Sequence, residues 1–321
     1  MRLAGHLETV FGHLRRLRQR IELPPADAWE TEVADPDFGS VRLTGALTDC
    51  GGSEAVIIVH GLGGGADSGY IQSAAAAVSR RGVSSLRLNL RGADRLGEDY
   101  YHGGLTADLG AAVASPELAV FERLSILGFS LGGHVALRYL LEGGNPRLSG
   151  VAAICAPLDL AACCDWIDRP LAWIYRRYLL SKLMEIYRPV AARREVPLAV
   201  EEAARIRSQR EFDDRVIAPR HGFAGVDDYY RKVSVGPRLA EIDARVLLVM
   251  GRDDPMIPRS SQVRHLSAAS PTIDVRWVRG GHVAFPPRLS LGEEGPRGLE
   301  EQVATWLVGP GPEPGAGPAA C

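Results

Sequence analysis

Residues 124–141 constrain this chain more than any other stretch. Leu124-Ser125-Ile126-Leu127 is a short apolar run, followed by Gly128-Phe129-Ser130-Leu131-Gly132. A helix-compatible run then continues through Arg138, Tyr139, Leu140 and Leu141. The pattern predicts a strand, a tight turn and a helix. A residue at the tip of such a turn is held in a strained backbone conformation, which only small neighbours permit. Gly128 and Gly132 leave room for the strand and helix backbones to approach. The Ser130 hydroxyl then stands above the strand end, and the Leu131 N–H, opening the helix, points into the same space. That is a nucleophile beside a ready-made anion site. A lone Gly-x-Ser-x-Gly also fits a glycine-rich turn with an ordinary surface serine, so the rest of the chain decides between the two.

The flanking sequence alternates. Trp29–Val33 and Val41–Thr44 read as a hairpin of two edge strands around Asp37-Phe38-Gly39. Ala55-Val56-Ile57-Ile58-Val59 is a continuous apolar run, as expected of a strand covered on both faces. An Ala-rich helix over 70–81, a strand over Val83–Leu90, a helix over Thr106–Ala114, the Ser130 unit and a strand over Leu148–Ile154 follow. Strands resume at Val246–Met250 and Ile273–Val278, and a helix at Leu299–Leu307 closes the series. Strands alternating with helices predict an α/β fold, with a mostly parallel central sheet and helices on both faces. Residues 159–235 break the alternation with long helical patterns rich in Trp, Tyr, Leu and Arg, and read as an inserted helical cap. The expected organisation is a core of 1–158 and 236–308, a cap of 159–235 and a Pro/Gly-rich disordered tail at 309–321.

Three further segments carry chemistry. The run after Val59, His60-Gly61-Leu62-Gly63-Gly64-Gly65, lets backbone N–H groups approach a ligand. It lacks the Gly-Lys-Ser/Thr of a phosphate loop and the Gly-x-Gly-x-x-Gly dinucleotide spacing. It suits the second half of an oxyanion hole, with the Leu62 N–H paired to that of Leu131. Asp253 and Asp254 lie just past the carboxyl end of the Val246 strand, where open α/β sheets place their sites. His282 follows the Ile273 strand in a glycine-softened loop. An imidazole takes a serine proton near neutral pH, and a carboxylate fixes its tautomer. Asp254, in Gly-x-x-Asp-x-x-x-Pro, is the expected acid; Asp253 is the alternative, or caps the turn. His60 is expected to brace the oxyanion loop and His134 to pack on its helix. His102 and His221 are candidates for the pocket or for loop structure.

Composition mainly excludes. Of 321 residues, 46% are hydrophobic and 24% charged, and the formal net charge is −2. That is ordinary globular chemistry and gives no electrostatic case for nucleic acid. Five cysteines without C-x-x-C spacing predict neither a disulfide framework nor a zinc site. No apolar run reaches the roughly 18 residues of a membrane span, and no signal-peptide core is seen. The chain is therefore expected to be cytoplasmic. Leu3, Leu7, Val10, Phe11, Leu14 and Leu17, with Arg15, Arg16, Arg18 and Arg20, form an amphipathic helical pattern. It either packs on the core or makes peripheral membrane contact. The sequence does not assign an oligomeric state.

With these residues placed, the chain resembles the α/β-hydrolase superfamily. More narrowly, it resembles the YheT-like esterases and their eukaryotic α/β-hydrolase-domain relatives. The likeness runs over nearly the whole chain. It includes His6-Leu7-Glu8-Thr9, His60-Gly61-Leu62, Tyr101-His102, Ser130-Leu131-Gly132-Gly133, Arg176-Arg177-Tyr178-Leu179-Leu180, Arg210-Glu211-Phe212-Asp213-Asp214, Asp227-Asp228-Tyr229-Tyr230-Arg231, Asp253-Asp254-Pro255 and Gly280-Gly281-His282-Val283. The order Ser130, Asp254, His282 is the superfamily's. The resemblance implies an α/β-hydrolase fold with an inserted cap. It also implies Ser130 as nucleophile, an Asp of the 253–254 pair as acid, His282 as base, an acyl ester of a small molecule or lipid as substrate, and no cofactor or metal. The first motif has Glu where the family more often has Gln, and the loop after His60 is unusually glycine-rich. Acyl transfer to an alcohol on the same site, and a catalytically silent binding protein on the same fold, are the alternatives.

Overall fold

The computed structural model describes residues 5, 6, 8, 9 and 21–309. The basic N-terminal pattern and the Pro/Gly-rich tail otherwise lie outside the described residues. Eight strands form one sheet: β1 (Asp27–Asp35), β2 (Gly39–Thr48), β3 (Glu54–Val59), β4 (Ser84–Asn89), β5 (Arg123–Phe129), β6 (Leu148–Ile154), β7 (Val246–Gly251) and β8 (Ile273–Val278). Their order is β1-β2-β4-β3-β5-β6-β7-β8. The β1–β2 and β2–β4 pairs are antiparallel, and every pair from β4–β3 to β7–β8 is parallel. Of the two strands expected at the edge, only β1 is one. β2 is interior, since it pairs with β1 on one side and with β4 on the other.

Both faces of the sheet are covered, and the alternation of side chains along a strand shows how. Ala55, Ile57 and Val59 of β3 enter one core with Leu109, Val113, Val135 and Leu137. Val56 and Ile58 enter a second core with Ile71, Ala75, Val303 and Leu307. The first core is closed by helices α2 (Ala107–Ala114) and α3 (Leu131–Leu141). The second is closed by α1 (Gly69–Ser79) and α8 (Leu299–Val308). A strand buried on both faces has no polar side, which is why β3 reads as unbroken hydrophobicity.

Between β6 and β7 the described chain is helical, with α4 (Leu160–Ile167), α5 (Trp173–Ala191), α6 (Val226–Val233) and shorter turns; α7 (Arg259–Leu266) follows β7. A buried ion network ties this segment to the sheet. Arg91 binds Asp108, Asp35 and Asp99, and Arg220 binds Asp99, Asp35 and Asp37. Removing either arginine would leave buried carboxylates uncompensated. Among the described residues no helix is long and apolar enough to cross a membrane. Cys155, Cys163 and Cys164 are free and buried.

Candidate active site

Ser130 sits between β5 and α3 with φ 51° and ψ −119°, a left-handed conformation that costs energy for a side chain with a Cβ. The turn is possible because its neighbours are bare. A Cβ on Gly128 would lie 2.5 Å from the Gly132 carbonyl oxygen, and one on Gly132 would lie 2.4 Å from that of His60. Both obstacles are backbone and cannot give way. The Ser130 N–H donates to the Ile154 carbonyl at 2.7 Å, which fixes the turn to β6.

The other two predicted residues arrive from separate strand ends. The His282 Nε2 lies 2.9 Å from Ser130 Oγ, and its Nδ1 lies 2.9 Å from Asp254 Oδ2. Asp254 is the member of the acidic pair that meets the imidazole. Its second oxygen, Oδ1, accepts the N–H groups of Met256 at 2.8 Å and Ile257 at 3.0 Å. The carboxylate is thus held by its own turn and has one oxygen left for His282. Both side chains are almost fully buried, so water does not compete for these bonds.

The loop around Leu62 is tightly bonded. The Gly61 N–H donates to Tyr70 Oη at 3.0 Å, and the Gly63 N–H to Tyr101 Oη at 2.6 Å. The Tyr101 hydroxyl in turn donates to the Gly61 carbonyl at 3.2 Å. His60 Nδ1 donates to the same carbonyl at 2.8 Å, while Nε2 accepts from the Leu90 N–H. Complete burial pushes the His60 imidazole down to about 4 and keeps it neutral, as that pairing requires. The N–H groups on either side of Leu62 are therefore occupied. Those of Leu62 and Leu131 have no acceptor among the described residues. A Cβ on Gly61 would lie 3.0 Å from the Ser130 Cβ, which places this loop directly against the serine.

Three further histidines are held by contacts of their own. His134 Nδ1 and Nε2 lie 2.6 and 3.1 Å from the Pro157 and Val233 carbonyls. Buried His102 packs with buried Tyr229 and with half-buried His221 and Phe223 in one aromatic group. In the helical segment between β6 and β7, Tyr175 and Leu179 pack with Ile167 and Met256 against Leu62. The Trp166 indole donates to the Pro255 carbonyl at 2.9 Å. Trp173 and Tyr178 point outward, 52% and 49% exposed.

The sequence by itself assigns no role to Tyr70, Tyr101 or Cys155. Tyr101 was signalled by the Tyr101-His102 motif, but its bond to the oxyanion loop spans thirty-eight positions of sequence and has no local mark. Cys155 has φ 50° at the end of β6 and lies beneath the site. Its sulfur, Asp254 and His282 offer ligand atoms within 4.8 Å of one another. They make a poor metal set: burial, and then the Asp254 charge, push the thiol far above its ordinary value and keep it protonated. Asp254 and His282 are already spent on each other.

A mostly parallel eight-stranded sheet, with a strained serine between strand and helix and an acid and a histidine at later strand ends, is the α/β-hydrolase architecture. The family model for the alpha/beta hydrolase family matches residues 56–289, and the chain belongs to that family. It is 28% identical over 319 residues to YheT of Escherichia coli K12, which carries the name of an esterase, covering 94% of this chain and 90% of that one. It is 27% identical to a medium-chain fatty acid ethyl ester synthase/esterase of Saccharomyces cerevisiae, over 72% of this chain and 57% of the yeast protein. Among solved structures, the Pyrococcus furiosus esterase Pf2001 superposes with a TM-score of 0.54 at 17% identity, covering 80% of this chain and 85% of that one. That last likeness concerns the fold alone.

Proposed function

We propose that the chain is a serine ester hydrolase acting on acyl esters of small molecules or lipids. The observation that carries this reading is the unbroken line Asp254–His282–Ser130, with 2.9 Å at each step. In the proposed cycle, Ser130 Oγ attacks the ester carbonyl and its proton passes to His282 Nε2. The Asp254 carboxylate holds the Nδ1–H and stabilises the imidazolium. The tetrahedral oxyanion is received by the N–H groups of Leu62 and Leu131. His282 then gives its proton to the departing alkoxide, which leaves as the alcohol, and the acyl group stays on Ser130. Water, deprotonated by the same imidazole, attacks the acyl carbon; the second tetrahedral intermediate expels Ser130 Oγ, which takes the proton back from His282 as the acid is released. None of these steps calls for a metal or cofactor.

The same proposal assigns 1–158 and 236–308 to the catalytic core and 159–235 to a cap that selects the acyl group. Tyr175 and Leu179, packed against Leu62, are the residues that support this role. A cytoplasmic location is part of the reading and rests on the sequence alone. A second reading, transfer of the acyl group to an alcohol, is favoured by the synthase/esterase name of the yeast relative. It uses the same acyl-enzyme and differs in the acceptor, so product ratios in mixed water and alcohol separate the two.

Fluorophosphonate labelling tests the proposal. The wild-type chain is expected to be labelled at Ser130. Ser130→Ala is expected to lose the label and to lower ester turnover by roughly 10⁴-fold or more while folding normally. Labelling that persists in the alanine variant removes Ser130 from the nucleophile's role.

A further inference from the structure

The His6-x-x-Thr9 motif near the start of the chain has no part in the cycle above, yet it touches the site. Thr9 Oγ1 accepts the backbone N–H of His282 at 2.9 Å and donates to the Gly5 carbonyl at 2.7 Å. The fit is close on both sides. A Cβ on Gly281 would lie 2.2 Å from Thr9 Oγ1 and 2.6 Å from the Gly5 oxygen, and a Cβ on Gly5 would lie 1.7 Å from the Asp253 carbonyl. The short helical turn is thus wedged between the loop that carries the acid and the loop that carries the base. Its other end is anchored too. His6 Nδ1 lies 2.7 Å from Tyr175 Oη, and the two rings stack at 5.4 Å. Glu8 faces Arg279, three residues before His282, at 3.8 Å.

We infer that Thr9 is a positioning residue for His282, acting through the backbone N–H of the catalytic base; the inference rests on the hydrolase reading. His282 follows Gly280-Gly281, whose backbone freedom is the largest any pair of residues offers. Val283, immediately after it, sits at φ 45°. The Gly281 N–H donates to the Ala284 carbonyl at 2.8 Å and closes the turn around His282, while the His282 N–H itself is taken by Thr9. A general base has to stay within a few tenths of an ångström of its productive position, and a misplacement of about 1 Å costs roughly 10²-fold in rate. The Thr9 hydroxyl fixes the His282 backbone from which the imidazole projects, because as acceptor for His282 and donor to Gly5 it has one orientation. His6 and Thr9 are three apart and share a face of the turn. The stacked His6–Tyr175 contact therefore sets the depth to which Thr9 reaches.

Thr9→Val keeps the shape and removes both hydrogen bonds. With turnover normalised to fluorophosphonate-titrated sites, it is expected to lower kcat by about 10- to 100-fold and leave KM within about twofold. Thr9→Ser, which keeps the hydroxyl, is expected to recover most of the loss. If Thr9→Val is not recovered folded, Thr9→Ala carries the same comparison without the branched side chain. A residue that only packs would lower the fraction of titratable sites and leave kcat per site unchanged. That outcome, or a serine variant no better than valine, overturns the inference while the hydrolase reading stands. Failure of Ser130 to label in the wild-type chain overturns both.

Discussion

The floor and the roof of this site are built on different principles. The floor is the carboxyl edge of the sheet, where backbone meets backbone. Gly128 and Gly132 are fixed by carbonyl oxygens 2.4–2.5 Å from where a Cβ would stand, and Ser130 by its left-handed φ. The roof is the helical segment between β6 and β7, where side chain meets side chain: Tyr175 and Leu179 on Leu62, and Trp166 on the Pro255 carbonyl. Backbone contacts admit almost no substitution. Apolar side-chain contacts admit many, provided volume is kept. The proposed function accordingly assigns reaction chemistry to the floor and acyl selection to the roof.

The largest effect expected from that contrast lies in the acid turn. Asp254 spends one oxygen on two backbone N–H groups and the other on His282. Asp254→Asn keeps the turn's shape and presents a donor, or a weaker acceptor, to Nδ1, which favours the wrong tautomer. A loss of roughly 10²–10⁴-fold in kcat is expected, with Asp253→Asn at least tenfold milder. Steady-state kinetics on any aryl ester measures both, and equal losses would break the assignment of the floor.

A smaller effect is expected overhead. Leu179 is 5% exposed and packs against Leu62. Leu179→Ala would open space beside the acyl group, so kcat/KM for an ester one methylene longer than the wild-type optimum should rise by about fourfold. That is the worth of one buried CH₂ at about 0.8 kcal/mol. Trp173→Ser, on the outward face of the same helix, should leave the chain-length profile as it was. If the two variants give the same profile, the roof does not read the acyl chain.

The same contrast explains what could be read from the sequence. The floor is encoded locally. Glycines two positions either side of a serine, an unbroken apolar strand before it and a helix after it specify a turn whatever lies around them. The order Ser130, Asp254, His282 then follows from successive strand ends. The roof is encoded at a distance. Nothing near Tyr175 announces that it faces inward while Trp173 and Tyr178 face out, since all three lie on one helix of mixed character. The Tyr101 bond to Gly63, and the Arg220 contacts with Asp35 and Asp99, join residues far apart in sequence. Strand β2 reads as an edge and is interior, for a related reason. Half-polar alternation marks a strand with one wet face, and does not say how many neighbours it hydrogen-bonds.

The smallest effect concerns stability, and here floor and roof oppose each other. His60 and His134, beneath the site, are fully buried and pushed down to about 4 by burial. Unfolded, each takes up a proton near the ordinary histidine value of about 6.5. Between these limits the unfolded chain binds protons that the folded chain refuses, so stability falls as pH drops below about 6.5. Asp213, in the helical segment, goes the other way. Burial raises it to about 7, against the hydrogen bonds it accepts from Tyr230 and Gln209. Here the folded chain holds a proton that the unfolded one has lost, so the contribution is complete below about 4 and disappears as pH rises through 7. Asp213→Asn removes that titration and keeps the shape. The variant should melt several degrees above wild type at pH 8.5, at about 2–4 °C for each kcal/mol of the lost contribution. At pH 5, where wild-type Asp213 is already neutral, the two should melt together. Identical melting temperatures at both pH values would mean that Asp213 does not titrate in this range, and that the roof adds no alkaline weakness to the acid weakness of the floor.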